Sequence, residues 1–161
     1  MIKVLFICHG NICRSPMAEF VLKDMVAKAG IADQFEIASA ATSTEEIWNG
    51  VGNPVYPPAK AELAKHGIRC DGKRAVQLKK SDYDYYDYLI GMDVMNIRNI
   101  ERMTGHQGGK IHLLLDFAGS GKPISDPWYT GAFGATYQDV VEGCTAFLEY
   151  LKREGQIKES V

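Results

Sequence analysis

Two residues near the amino terminus have types and spacing that could do chemistry together. Cys8 and Arg14 frame the stretch Cys8-His9-Gly10-Asn11-Ile12-Cys13-Arg14-Ser15-Pro16, a Cys-x5-Arg arrangement. A thiolate is a strong nucleophile, and an arginine fork grips two oxygens of a phosphate at once, which lysine cannot do. A thiolate facing backbone N–H groups, a helix N-terminus and a guanidinium is stabilised by all three. The same donors would stabilise the equatorial oxygens of a phosphoryl group under attack.

The flanking sequence says how such a loop is held. Ile2-Lys3-Val4-Leu5-Phe6-Ile7 is almost continuously apolar, as expected of a parallel strand buried on both faces. From Pro16 to Ala29, apolar residues recur at helical spacing at Ala18, Val21, Leu22, Met25, Val26 and Ala29. Ser15 is expected to cap that helix, with Pro16 as its first residue. A tight loop between a buried strand and a helix start is where α/β proteins bind anions.

The complete nine-residue string after an apolar strand resembles the low-molecular-weight protein tyrosine phosphatase family. The likeness extends to Ser39-Ala40, Trp48, His66-Gly67-Ile68, Tyr86-Asp87, Met92-Asp93, Asn96 and Asp126-Pro127. It is weakest at residues 53–60, where members often carry Pro-Asp and an Arg, and at Val76, where an Arg is common. The resemblance implies a single-domain flavodoxin-like three-layer sandwich with a four-stranded parallel sheet. It implies hydrolysis of phosphotyrosine through a phosphocysteine on Cys8, with no cofactor and no metal.

Composition agrees with one ordinary domain spanning 1–161. The 161 residues are 46% apolar and 24% charged, and 18 Lys and Arg face 20 Asp and Glu. There is no basic field for a nucleic acid, and no apolar run approaches the roughly 20 residues that span a bilayer. No leader-like order of basic, apolar and small residues opens the chain. The four cysteines Cys8, Cys13, Cys70 and Cys144 lack zinc-ligand spacing and do not read as a disulfide framework. A cytoplasmic, monomeric protein acting on phosphoprotein substrates is the expectation.

Along the chain, Phe35–Ala38 reads as a second strand, Tyr86–Met92 as a third and Lys110–Leu114 as a fourth. Helices are expected over Ala59–His66, from an Asp93 cap through Met103, and over Tyr137–Arg153, whose stripe is Val140, Cys144, Phe147, Leu148 and Leu151. Residues 68–82 have no clear pattern. Ser43–Pro58 and Asp116–Thr136 read as two long loops, and the polar tail 154–161 as frayed. Strands alternating with helices predict a parallel sheet covered on both faces, its ligand at the carboxyl ends of the strands.

Expulsion of a phenolate calls for a proton donor, which Arg14 cannot be. Asp126, stiffened by Pro127, is the candidate; by composition it could equally be a turn residue, and the resemblance selects the donor role. The same group, ionised, would then activate water against the phosphocysteine. A phosphotyrosine pocket needs apolar walls, for which Ile12, Trp48, Trp128 and Tyr129 are candidates. The resemblance implies that Asn11, Ser15, Ser39 and His66 shape the phosphate loop by hydrogen bonding. Ser15 is also expected to assist Cys8 as a leaving group, and His9 to point outward. Cys13, close to the nucleophile, is a candidate partner for it in a protective disulfide.

Related chemistries remain in view. Thioredoxin-coupled arsenate reductases share the loop but need further cysteines after the third strand, where Met92–Arg102 has none. Protein arginine phosphatases favour Thr at the position of Ile12; an isoleucine suits a phenyl ring better than a guanidinium. Against a phosphoprotein-binding module using the same cradle without turnover, nothing required for catalysis is missing; a flavin-binding module would leave a Cys opening and an Arg closing the loop unexplained.

Overall fold

A computed structural model of the protein describes residues 1–158. In chain order its elements are β1 (Ile2–Cys8), α1 (Arg14–Lys28), β2 (Phe35–Ala41), β3 (Ile47–Trp48), β4 (Val51–Gly52) and α2 (Pro57–Lys65). There follow α3 (Asp82–Tyr85), β5 (Tyr88–Gly91), α4 (Val94–Thr104), β6 (Ile111–Leu113), α5 (Pro127–Thr130) and α6 (Phe133–Arg153).

The main sheet has four strands in the order β2-β1-β5-β6, all parallel. The reason β1 is apolar throughout is visible in how its side chains divide. Val4, Phe6 and Cys8 enter a large core with α1 and α6, whereas Leu5 and Ile7 enter a second one with Leu89, Ile100 and Ile111. Alternate residues of a strand point to opposite faces, so a central strand in a three-layer sandwich needs apolar residues at both parities. The fold is the flavodoxin-like α/β fold. From β1 the chain goes first to β2 on one side and later to β5 on the other. The strand order therefore reverses at the carboxyl end of β1, where Cys8 sits and where such sheets bind ligands.

Several boundaries differ from expectation. α1 starts at Arg14, with Cys13 in the cap position and no side-chain cap; the Ser15 hydroxyl is engaged by the phosphate loop instead. The 43–58 loop contains the hairpin β3–β4, turned by Asn49 and Gly50 at positive φ, the two-residue turn that suits a twisted ribbon. A Cβ on Gly52 would lie 1.8 Å from the Ala75 carbonyl oxygen, so only glycine lets the hairpin rest on the 74–78 segment. That segment, patternless in sequence, runs beside β2: the Leu78 N–H donates to Ala41 O and the Ala41 N–H to Val76 O.

The second long loop is shorter than expected, because a 3-10 turn takes Leu114–Ala118, α5 takes Pro127–Thr130, and α6 begins at Phe133 rather than Tyr137. The tail through Lys158 is not frayed. Ile157 is buried, the Tyr88 hydroxyl donates to Gln156 at 2.9 Å, and Gln34 exchanges two hydrogen bonds with the Lys158 backbone. Residues 159–161 of the expected tail lie outside the described residues.

Candidate active site

Cys8 ends β1, and the chain then turns through residues 9–13 into α1, whose free N–H groups open on the same place. The turn requires Asn11 at φ 58, a left-handed conformation that asparagine tolerates better than most residues. Its amide is tied at both ends. Oδ1 accepts from the Val76 N–H at 3.1 Å, and Nδ2 donates to Ser15 Oγ at 2.8 Å. Ser15 has one proton, and with its oxygen accepting from Asn11 that proton is free for Cys8 Sγ, 3.0 Å away. The Asn11 N–H also points at the sulfur, at 3.3 Å. Two donors thus converge on the sulfur.

Arg14 is buried at the base. Its Nη1 donates to Asp93 Oδ2 at 2.7 Å and to the Ile124 carbonyl at 2.9 Å, and Nη2 lies 3.7 Å from Asp126 Oδ2. Burial works against the charged guanidinium, but the Cys8 thiolate, Asp93 and Asp126 outweigh it and raise the Arg14 pKa. Asp93 uses each oxygen separately: Oδ1 caps α4 through the Asn96 N–H, and Oδ2 aims Arg14. Asn96 in turn accepts from the Met92 and Asp93 N–H groups. The strand-to-helix turn after β5 is thus built as firmly as the one after β1.

Asp126 arrives on the segment after β6. Ile124 anchors that segment, its N–H donating to Met92 O at 2.9 Å while its carbonyl meets Arg14. Asp126 Oδ1 accepts from the Trp128 N–H at 3.0 Å, which leaves Oδ2 facing Arg14. The next residues, Trp128 and Tyr129, reach the mouth of the cavity. The Trp128 ring packs on Tyr56 with centroids 4.8 Å apart, and the Tyr56 N–H donates to Ile12 O, so this wall is tied to the phosphate loop itself.

These elements enclose a cavity of about 140 Å³ lined by the loop residues Cys8, His9, Gly10, Ile12, Cys13 and Arg14, by Asp126, Trp128 and Tyr129, and by Glu45 and Glu46. Cys13 is held as a thiol, its pKa pushed up to about 12 by burial first and then by the Cys8 and Asp126 charges. His9 is half exposed and turned to Glu45 at 3.1 Å.

Three expected positions lie elsewhere. Trp48 stands on the hairpin, 80% exposed, and does not line the cavity. Ser39 does not bond the phosphate loop; its hydroxyl donates to Glu19 of α1 at 2.5 Å, while Lys73 donates to the Ser39 carbonyl. Glu19, buried, is also bound by Lys23 at 2.6 Å and lies 3.5 Å from Lys73. This cluster joins β2 and α1 to Lys73. His66 is bonded to Glu62 at 3.1 Å and stacked on Tyr137 at 3.8 Å, joining α2 to α6. The sequence reading missed Glu45, Glu46, the Val76 N–H and the Arg14-holding role of Asp93. Only the acidic pair had a visible signal, two adjacent carboxylates within a long loop.

A buried thiol bonded by two donors, a buried arginine beside it and a carboxylate at the edge thus meet in one small cavity. The model of the family described as low molecular weight phosphotyrosine protein phosphatase matches residues 3–157. The chain is 38% identical over 160 residues to the low molecular weight protein-tyrosine-phosphatase YfkJ of Bacillus subtilis, covering 98% of this chain and 100% of that one. It is 42% identical over 154 residues to low molecular weight phosphotyrosine protein phosphatase 1 of Drosophila melanogaster, covering 91% and 95%. The crystal structure of YfkJ superposes with a TM-score of 0.90 at 37% identity, covering 97% and 98% of the two chains. That of DARP, described as a drosophila arginine phosphatase, gives 0.83 at 31% identity, covering 94% and 98%. The chain belongs to the low molecular weight phosphotyrosine protein phosphatase family and is an enzyme of the protein-tyrosine-phosphatase class.

Proposed function

We propose that the enzyme hydrolyses phosphotyrosine in proteins through a phosphocysteine on Cys8. The observation that carries this reading is the convergence of Cys8, Arg14 and Asp126 on one small cavity with Ile12 and Trp128 in its lining. In the first step the Cys8 sulfur attacks phosphorus and the bond from phosphorus to the phenolic oxygen breaks. The Asp126 carboxyl gives its proton to that oxygen, and Arg14 with the loop N–H groups holds the equatorial oxygens. In the second step Asp126, now a carboxylate, takes a proton from water as the water oxygen bonds to phosphorus. The sulfur leaves as a thiolate, met by the Ser15 O–H.

Tyrosine is favoured over arginine because Ile12 adds an apolar wall, which suits a phenyl ring better than a guanidinium. Cys13 suits protection of the nucleophile: peroxide oxidises Cys8 to a sulfenic acid, the Cys13 sulfur attacks it, water leaves and a disulfide forms. The raised Cys13 pKa makes this closure faster in alkaline solution. The protein is read as a cytoplasmic monomer needing no cofactor or metal, and its four free thiols suit a reducing compartment.

The test is phosphate release from phosphotyrosine and phosphoarginine peptides side by side in EDTA, with Cys8→Ser as control. Turnover of phosphotyrosine that vanishes in the variant is the expected result. Preference for phosphoarginine would keep the nucleophile and overturn the pocket; undiminished turnover in Cys8→Ser would overturn the mechanism.

A further inference from the structure

Charge is unevenly distributed around the cavity. Among the residues lining it, Arg14 is the one permanent cation, and it lies at the base with its guanidinium on Asp93, Ile124 and Asp126. The mouth adds Glu45 and Glu46, and no lysine.

Both glutamates are held in place. The Glu46 carboxylate accepts from Asn53 Nδ2 at 2.7 Å and its carbonyl accepts from the Asn53 N–H at 2.8 Å. Its Cγ lies 3.2 Å from where a Cβ on Gly10 would stand, so the side chain packs directly on the phosphate loop. Glu45 gives its N–H to Ser43 Oγ at 2.9 Å and directs its carboxylate to His9 at 3.1 Å. The β3–β4 hairpin that follows is seated on Ala75 by Gly52, which keeps this edge from swinging away.

A phosphate dianion entering alone is repelled by these carboxylates. A substrate carrying cations beside its phosphotyrosine reverses the sign of that interaction. The aromatic residues of the mouth point the same way. Tyr129 is 85% exposed, and a lysine or arginine stem can lie on such a ring while its charged end reaches a carboxylate.

We propose that Glu45 and Glu46 select phosphotyrosine flanked by lysine or arginine. The inference rests on the phosphotyrosine reading above and names the sequence context of the same substrate. The two glutamates touch the residues beside the phosphotyrosine, not the reacting atoms.

The test uses three peptides sharing one phosphotyrosine, flanked by Lys, by Ala or by Glu, with p-nitrophenyl phosphate as a probe that has no flanks. The expected order of kcat/KM is Lys above Ala above Glu, with an overall spread of about tenfold at low salt. High salt compresses the spread, because exposed charges are screened. In the double variant Glu45→Gln/Glu46→Gln the Lys-to-Glu ratio falls to about twofold or less, whatever the absolute rate. A flat or inverted order in the unaltered enzyme overturns the proposal, as does an order that survives in the double variant. The salt series needs no variant, so a folding defect in the mutant does not protect the idea. If none of the three peptides is hydrolysed while phosphoarginine is, the phosphotyrosine reading itself fails and this proposal with it.

Discussion

At the base of the cavity Cys8, Asn11, Arg14 and Ser15 are each at most 3% exposed, and each side chain has a defined hydrogen-bond partner. At the edge, the Asp126 side chain is 28% exposed, held by one N–H and a 3.7 Å approach to Arg14, and Tyr129 stands in solvent. The base is over-determined because a positive φ and a buried charge persist only where the surroundings enforce them. The edge has fewer ties, which suits groups that meet a polypeptide of variable shape and exchange protons with water. On the proposed mechanism the rigid base would hold the phosphate, and the looser edge would meet the leaving group and its flanking residues.

The contrast can be broken chemically. Replacing Asp126 with Ala should lower kcat on phosphotyrosine by about 10²- to 10⁴-fold. The loss should shrink on aryl phosphates whose phenols are more acidic and need no proton, and steady-state kinetics across such a series checks this. Replacing Ser15 with Ala should cost about 10²-fold in kcat. That loss should be the same across the series, because the Ser15 hydroxyl acts on the sulfur and not on the departing phenol. Equal leaving-group dependence in the two variants would erase the distinction between base and edge.

Asp93→Ala tests how far the base depends on support from a distant turn. It removes both the helix cap and the 2.7 Å partner of a buried guanidinium. A stability loss of about 3 kcal/mol, read from urea unfolding, is expected together with a raised KM. The smallest effect belongs to the edge: Trp128→Ala should raise KM only several-fold, since the wall is half in solvent. A final contrast lies within the base. Brief iodoacetamide treatment at neutral pH should label Cys8 and spare Cys13, whose pKa is pushed up to about 12. Cys70 and Cys144, raised by burial, should also be spared, as peptide mass mapping would read.

Much of the base was legible in the chain because its parts are local. An apolar strand, a nine-residue loop and a helix bring Cys8, Asn11, Arg14 and Ser15 together within eight positions, and only the capping role given to Ser15 was misplaced. The hairpin at Trp48-Asn49-Gly50-Val51 was legible too, since Asn-Gly between apolar residues is a strong turn signal, yet the glycines and prolines around it read as an unstructured loop. Ser39 and His66 were assigned through resemblance. Their hydrogen bonds run instead to Glu19 and Glu62, carboxylates that no local motif singles out.

By itself the sequence determined the strand–loop–helix cradle, the Cys8 and Arg14 pair, and the parallel α/β architecture, all of which follow from periodicity and short-range backbone geometry. What only the tertiary structure decided is who completes the cradle. Asp93 and Ile124 reach Arg14 from 79 and 110 positions away, the Val76 N–H reaches Asn11 from 65, and Glu45 and Glu46 come to the mouth on a loop seated by Gly52. Contacts at such separations leave no trace in a local pattern, because they are set by the order in which the strands pack and not by the residues adjoining each group.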